Sequence, residues 1–258
     1  MMYKTLLSIL LASFFSFSAQ AQQYHHADQS LPCLDKEFTI VVHIMRDSLG
    51  ITAHDSTSIR QAIQNLNPLF EPICASFTVC EIVFHDNFQY ANLLGASDAK
   101  WVEMQEKYHK DNRINMYFLT SLGGSEAGFA TLGGITNMTD GGIVISELGA
   151  IPHEMGHFFG LLHTFTGSGT ELVDGSNCST AGDKICDTPA DPYVAGEELS
   201  DYIKDCVFIS PKKDANGDFY VPDVGNIMSY YTDCTCGFTY DQYNAMAMKY
   251  LNSSPKMW

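Results

Sequence analysis

Residues 153 to 163 read H-E-M-G-H-F-F-G-L-L-H, and their types and spacing are those of a metal centre. His153 and His157 lie four residues apart, which on a helix stacks them on one face, one turn above the other. Two imidazoles so placed can hold one metal ion from the same side. Glu154 follows His153 and flanks the ion, where a carboxylate can take a proton from a water activated by the metal. Gly160 falls where that helix has to stop, because glycine adopts the left-handed backbone that ends helices without strain. The chain can then turn and return His163 as a third ligand. Three histidines leave one corner of a tetrahedron open to water, which separates a catalytic zinc site from a closed structural one.

The elements that must position this cluster lie upstream. Phe38 to Met45 is rich in β-branched residues and predicts a buried strand. His43 inside it has no ligand spacing around it and reads as a core histidine. Asp55, Ser56, Thr57 and Ser58 offer helix caps ahead of Ile59, Ala62, Ile63 and Leu66, which recur at helical spacing, and Asn67-Pro68 is expected to end that helix. A second strand is predicted over Phe77 to His85, a second helix over Ala96 to Lys110, a third strand over Asn112 to Thr120 and a short one over Gly142 to Ser146. Strands alternating with helices predict an α/β fold with a mixed, mostly parallel sheet. Past His163 the chain is polar and glycine-rich, with no long periodic element until its end.

The first 21 of the 258 residues read as a signal peptide: Lys4, an apolar run from Leu6 to Phe17, and a small-x-small site at Ala19-Gln20-Ala21. The run is short for a membrane span, so the protein is expected to be exported, free of the membrane once the leader is removed, and monomeric. Residues 22–36 read as a flexible start. The net charge of −16 excludes a basic nucleic-acid footprint and suits a soluble exported chain. Eight cysteines behind a leader predict disulfides, whose connectivity spacing does not settle. A Cys74–Cys80 bridge is plausible. Cys33 has two readings, a disulfide partner or a thiolate that caps the metal and holds the protein latent.

Every fixed position of the extended motif H-E-x-x-H-x-x-G-x-x-H is present, and the chain resembles the metzincin clan of zinc peptidases. Asn226-Ile227-Met228-Ser229-Tyr230 resembles the clan's methionine turn, with Met228 as an apolar floor beneath the zinc site. Within the clan the resemblance is to the pappalysins. It rests on His163-Thr164-Phe165, on Gly182-Asp183-Lys184-Ile185-Cys186-Asp187-Thr188-Pro189, and on Phe238-Thr239 and Gln242 after the methionine turn. It implies a two-lobed catalytic domain over residues 37–258, an N-terminal lobe over about 37–163 and a C-terminal one over about 164–258. It also implies zinc on His153, His157 and His163, Glu154 as general base, and Tyr230 as a hydrogen-bond donor to the tetrahedral intermediate.

The same resemblance implies a calcium loop on Asp183, the backbone oxygen of Cys186, Asp187 and Thr188, hard oxygen donors of the kind calcium takes. It implies a Cys178–Cys206 disulfide by analogy, and Asp233 as a pocket residue that favours a basic side chain after the cut. In metzincins the edge strand of the sheet takes the substrate backbone as an extra strand. Gly128 to Leu132 is the stretch for that rim, with an ordinary loop as the alternative. Asp214 to Asp218 looks at first like a second calcium loop but lacks the EF-hand glycine and glutamate, and an Asn-Gly turn explains it more simply. The function expected is hydrolysis of protein or peptide substrates. The rivals are zinc hydrolysis of a non-peptide bond and a non-catalytic zinc-binding or adhesion domain.

Overall fold

The computed structural model describes residues 30–256, Ser125 and Met138 excepted. The signal-peptide reading of residues 1–21 and most of the flexible start lie outside the described residues.

The chain opens on β1 (Lys36–Met45), followed by α1 (Ser56–Gln64), α2 (Leu66–Phe70) and β2 (Ala75–His85). Then come β3 (Asn92–Leu93), α3 (Ala99–Tyr108), β4 (Ile114–Phe118), β5 (Ser121–Leu122), β6 (Gly128–Ala130) and β7 (Ile143–Ile145). The metal motif begins in α4 (Ile151–Phe158). After it come two single turns of 3-10 helix, the short pair β8 (Ile203–Lys204) and β9 (Val207–Phe208), and then α5 (Tyr240–Leu251). The main sheet has the order β2-β1-β4-β7-β6. Its first four strands run parallel, and β6 pairs antiparallel on β7. The predicted mixed, mostly parallel sheet is therefore present, and the stretch expected to form the rim is an edge strand. No helix of the described residues is long and apolar enough to cross a membrane.

Strands buried on both faces need continuous apolar runs, and β1 and β4 supply them: Val41, Met45 and Tyr117 are buried on one face, and Phe38, Ile40, Val42, Ile44, Ile114, Met116 and Phe118 on the other. Ile59 and Ile63 of α1 and Ile151, Met155 and Phe158 of α4 join the same core. Each such side chain contributes roughly 1.5–3 kcal/mol on burial. An eight-residue helix is marginal alone, so α4 is held by this packing. Asp55 is the residue that caps α1, accepting from the backbone N–H groups of Thr57 and Ser58.

Several sequence expectations are corrected. The first helix ends at Asn65, and Asn67-Pro68 sits inside the separate helix α2, because proline is tolerated in a first turn whose N–H groups lack intrahelical partners. The disulfides are Cys33–Cys74, Cys178–Cys186 and Cys206–Cys234, so neither Cys74–Cys80 nor Cys178–Cys206 forms. Cys80 and Cys236 are free. Bonded to Cys74, Cys33 has no thiolate with which to cap a metal. The Asp214–Asp218 turn is as expected: the Asp214 carboxylate accepts from the N–H groups of Asn216, Asp218 and Val173, and the flanking Lys213 and Phe219 form a bridge.

His43 is fully buried, as a core histidine should be. Its Nε2–H donates to Asn115 Oδ1 at 3.0 Å, which leaves Nδ1 as the acceptor from His85 Nε2–H at 3.0 Å. Burial first, then the nearby charges of His85, Lys110 and His109, hold His43 down at about 4, against the Asn115 hydrogen bond. Burial and the charges of Lys110 and Lys107 hold His85 at about 4 too, against the opposing charge of Asp86. Both pKa values lie below the unfolded value, so the native state binds fewer protons between about pH 4 and 6.5. The stability these two groups contribute is then full above about pH 6.5 and is lost as pH falls toward 4. The change in urea-unfolding stability between pH 7 and pH 5 is expected to differ by about 2 kcal/mol between the native chain and His43→Gln, the native chain being the less favoured by acid. Equal pH slopes in the two proteins would contradict this.

Candidate metal centre

The motif helix α4 ends in a backbone reversal. Gly160 takes φ +98°, its N–H donates to His157 O at 2.8 Å, and Leu161 N–H reaches back to Gly156 O at 3.0 Å. These two bonds make a Schellman close, and they turn the chain so that His163 faces the helix it has just left. The three imidazoles then converge: His163 Nε2 lies 2.9 Å from His157 Nε2 and 3.0 Å from His153 Nε2.

The protons on two of these rings are settled by what faces them. His153 Nδ1 lies 2.7 Å from Ile227 O, and His157 Nδ1 lies 2.7 Å from Leu161 O. A carbonyl only accepts, so each Nδ1 carries the proton and each Nε2 presents a lone pair. The third ring is held by a face-to-face stack on Phe165, centroids 4.6 Å apart. A single proton on His163 Nε2 could bridge one of its two close nitrogen neighbours and not both. Three nitrogen donors this close fit a shared cation, since tetrahedral zinc with bonds of about 2.0–2.1 Å sets its ligands about 3.3 Å apart. Burial and mutual charge hold His153 at about 4 and His163 at about 2, and burial lowers His157 as well. All three rings are therefore neutral near pH 7, the form that binds metal. Among the described residues no other group of three or more His, Cys, Asp or Glu brings its ligand atoms so close together.

Glu154 is buried beside this cluster, and its Oε2 has no hydrogen-bond partner. Burial, then the nearby charge of Glu126, pushes its carboxyl up to about 8. The edge strand β6 presses directly on it. A Cβ built on Gly128 would sit 2.9 Å from Glu154 Cγ and 2.8 Å from Val144 O, so only glycine lets the strand come this near.

Met228 is fully buried under α4, so near that a Cβ on Gly156 would meet its sulfur at 2.4 Å. The methionine turn is held by Asn226, whose Oδ1 accepts from Met228 N–H at 2.9 Å. Asn226 is in turn locked to Gln242 by two side-chain hydrogen bonds of 2.9 and 3.2 Å. Gln242 closes a capping box with Thr239 at the start of α5. Sequence reasoning noted Asn226 and Gln242 without pairing them. The T-x-x-Q signature of the box was the available signal. Gly128 carries no such signal.

Tyr230 is brought to the cluster as expected, its ring 4.8 Å from that of His163 and 5.6 Å from that of His153. Burial, then the charges of Glu154 and Glu126, raise its phenol. The other expected residues are dispersed. Asp233 is exposed, in a single turn of 3-10 helix at Thr232–Cys234. Asp183 and Thr188 are together, with Thr188 Oγ1 donating to Asp183 Oδ1 at 2.8 Å. The Asp187 carboxylate turns away to the N-terminus of α5, accepting from Thr239 Oγ1 at 2.7 Å and Asp241 N–H at 2.8 Å. The donor expected of Cys186 is its backbone oxygen, and its side chain is in a disulfide with Cys178.

Comparison with known proteins places this geometry. Residues 104–250 match the peptidase family described as pregnancy-associated plasma protein-A. An extracellular metalloprotease of Podospora anserina is 29% identical over 58% of this chain and 55% of its own length. One of Colletotrichum graminicola is 30% identical over 48% and 46%. The chain thus spans about half the length of the curated relatives it matches. Mature mirolysin of Tannerella forsythia, solved in complex with a cleaved peptide, superposes with a TM-score of 0.58 at 18% identity, covering 89% of this chain and 94% of that one. That likeness is one of fold. With the family match running through α4, the methionine turn and α5, the chain belongs to the pappalysin family of metzincin metallopeptidases.

Proposed function

We propose that this chain is an exported, monomeric zinc endopeptidase. The observation that carries the reading is the convergence of three imidazole nitrogens beside a buried carboxylate with an unpaired oxygen. His153, His157 and His163 would hold the ion. When bound, zinc supplies a Lewis acid that polarises a carbonyl and brings the pKa of water to about 7. Glu154 takes the proton of the attacking water and passes it to the leaving amine. A cation beside Glu154 favours its ionised form, the form a base needs. The Tyr230 phenol, raised and so protonated, donates a hydrogen bond to the developing oxyanion. β6 ends the sheet and offers its free edge to an extended peptide, which favours peptide over non-peptide substrates. A buried Glu154 has no use in a site that only binds zinc. Asp233 is assigned the pocket for a basic residue after the cut, and the carboxylate of Glu126 near Glu154 and Tyr230 adds to the negative potential of the cleft. The leader-like start and the disulfides support export.

Calcium binding is the second part of the proposal, with the donor set revised. Asp183 is buried with Oδ2 unpaired. Glu171, also buried, lies so close that a Cβ on Gly182 would meet its Oε2 at 1.9 Å. Burial pushes Asp183 up to about 7, and burial with the charges of Asp183 and Asp191 does the same to Glu171. Buried carboxylates that repel one another fit a hard cation. Asp183 and Glu171 are therefore the expected anchors, and Asp187 serves α5.

Incubating the purified protein with a peptide library should give cuts that a zinc chelator abolishes, with arginine or lysine enriched after the cut. Glu154→Ala should lose at least about 100-fold in rate with zinc content unchanged. Cleavage that survives chelation, or in Glu154→Ala, would end the reading of zinc-assisted hydrolysis with Glu154 as base, and a protein that cuts no peptide would end the endopeptidase reading. Tyr230→Phe should lower kcat by about 100-fold with zinc retained, and an unchanged kcat would remove Tyr230 from the mechanism. Calcium at 100 times its Kd should raise Tm by roughly 5–10 °C in the native chain and not in Asp183→Asn. An equal rise in both would place calcium elsewhere.

A further inference from the structure

Asp191 is a buried carboxylate outside the three-histidine cluster. It is 3% exposed. Its Oδ2 accepts from Thr164 Oγ1 at 2.8 Å, and its Oδ1 accepts from the Tyr231 hydroxyl at 2.8 Å and from Tyr193 N–H at 3.0 Å. Each of these donors leads to the site. Thr164 follows the third histidine, and its N–H donates to Met228 O at 3.2 Å. Tyr231 follows Tyr230. The Tyr193 ring lies 5.8 Å from that of Tyr230 and 5.0 Å from that of Phe165, the ring stacked on His163. We propose that Asp191 is a positioning residue, a single carboxylate that holds the Tyr230 phenol in register with the third imidazole.

The chemistry of the group explains why a carboxylate stands there. Both Asp191 oxygens accept, so the two hydroxyls aimed at them donate and their rotors are fixed. An amide in the same place would present one acceptor and one donor. One hydroxyl would then reverse, and the segments carrying Thr164 and Tyr231 would be free to shift. Burial works against the charge and raises the carboxyl, while the Thr164, Tyr193 and Tyr231 hydrogen bonds work the other way. The arrangement rests on the peptidase reading above, because its effect is exerted through Tyr230.

The test is a double-mutant cycle in the zinc-loaded protein, read on a peptide that the native enzyme cuts. Asp191→Asn should lower kcat about 10-fold or more, with KM within about 2-fold and zinc content unchanged. In a Tyr230→Phe background the same change should cost less than about 3-fold, because the group it positions is already gone. Tyr231→Phe, which removes one donor and keeps the ring, should show the same dependence on Tyr230 and serves as the test if Asp191→Asn does not fold. Losses that multiply in full across both backgrounds would show that Asp191 does not act through Tyr230 and would overturn the proposal. A native protein that cuts no peptide would instead bring down the peptidase reading, and this proposal with it.

Discussion

Two backbone carbonyls decide which nitrogen of each helical imidazole is free. Ile227 O and Leu161 O each take an Nδ1 proton, and only then do the Nε2 lone pairs of His153 and His157 point at a common centre. An imidazole flipped or carrying its proton on the other nitrogen would present a donor to the metal, so the site exists only while both carbonyls stay in place. One belongs to the reversal that follows Gly160 and the other to the methionine turn. The centre is thus a contact between two turns far apart in sequence, and most of the molecule serves to keep them together.

The anchoring of the second turn can be followed outward. Ile227 is set by the turn that Asn226 closes, Asn226 by Gln242, and Gln242 by the cap of α5. Asp187 adds a second cap to that helix from the disulfide-bonded segment around Cys186. On the other side, β6 leans on Glu154 through a bare Cα at Gly128. Buried polar pairs of this kind contribute little net stability, but breaking one partner leaves an unsatisfied group and costs about 1–3 kcal/mol. Precision at the rings is therefore protected by the cost of breaking any link.

What the sequence made legible follows from distance along the chain. The three histidines, Glu154 and the Gly160 stop lie within eleven residues and are governed by helix geometry alone, so their spacing states their arrangement. The strands β1, β2, β4 and β7 were legible because short runs of β-branched, aromatic and other apolar residues bounded by turn residues leave few other folds. The disulfides were not. Cys178 joins Cys186 and Cys206 joins Cys234 because tertiary packing sets which Cα atoms come within about 4.4–6.8 Å, and spacing carries no record of that. The place of the Asp187 carboxylate was not legible for the same reason: it accepts from a helix that begins more than fifty residues later. Glu171 and Asp191 were missed altogether, since a buried acid is indistinguishable in sequence from the many exposed ones in a chain of net charge −16.

The account turns on three imidazole nitrogens sharing one ion with a corner left for water. Zinc K-edge absorption of the loaded protein reads that shell directly. Three nitrogen scatterers with the outer-shell signature of imidazole, plus one light oxygen donor, all at about 2.0–2.1 Å, are the predicted result. A shell that requires sulfur at about 2.3 Å, or one that stays the same in His163→Ala, would contradict it.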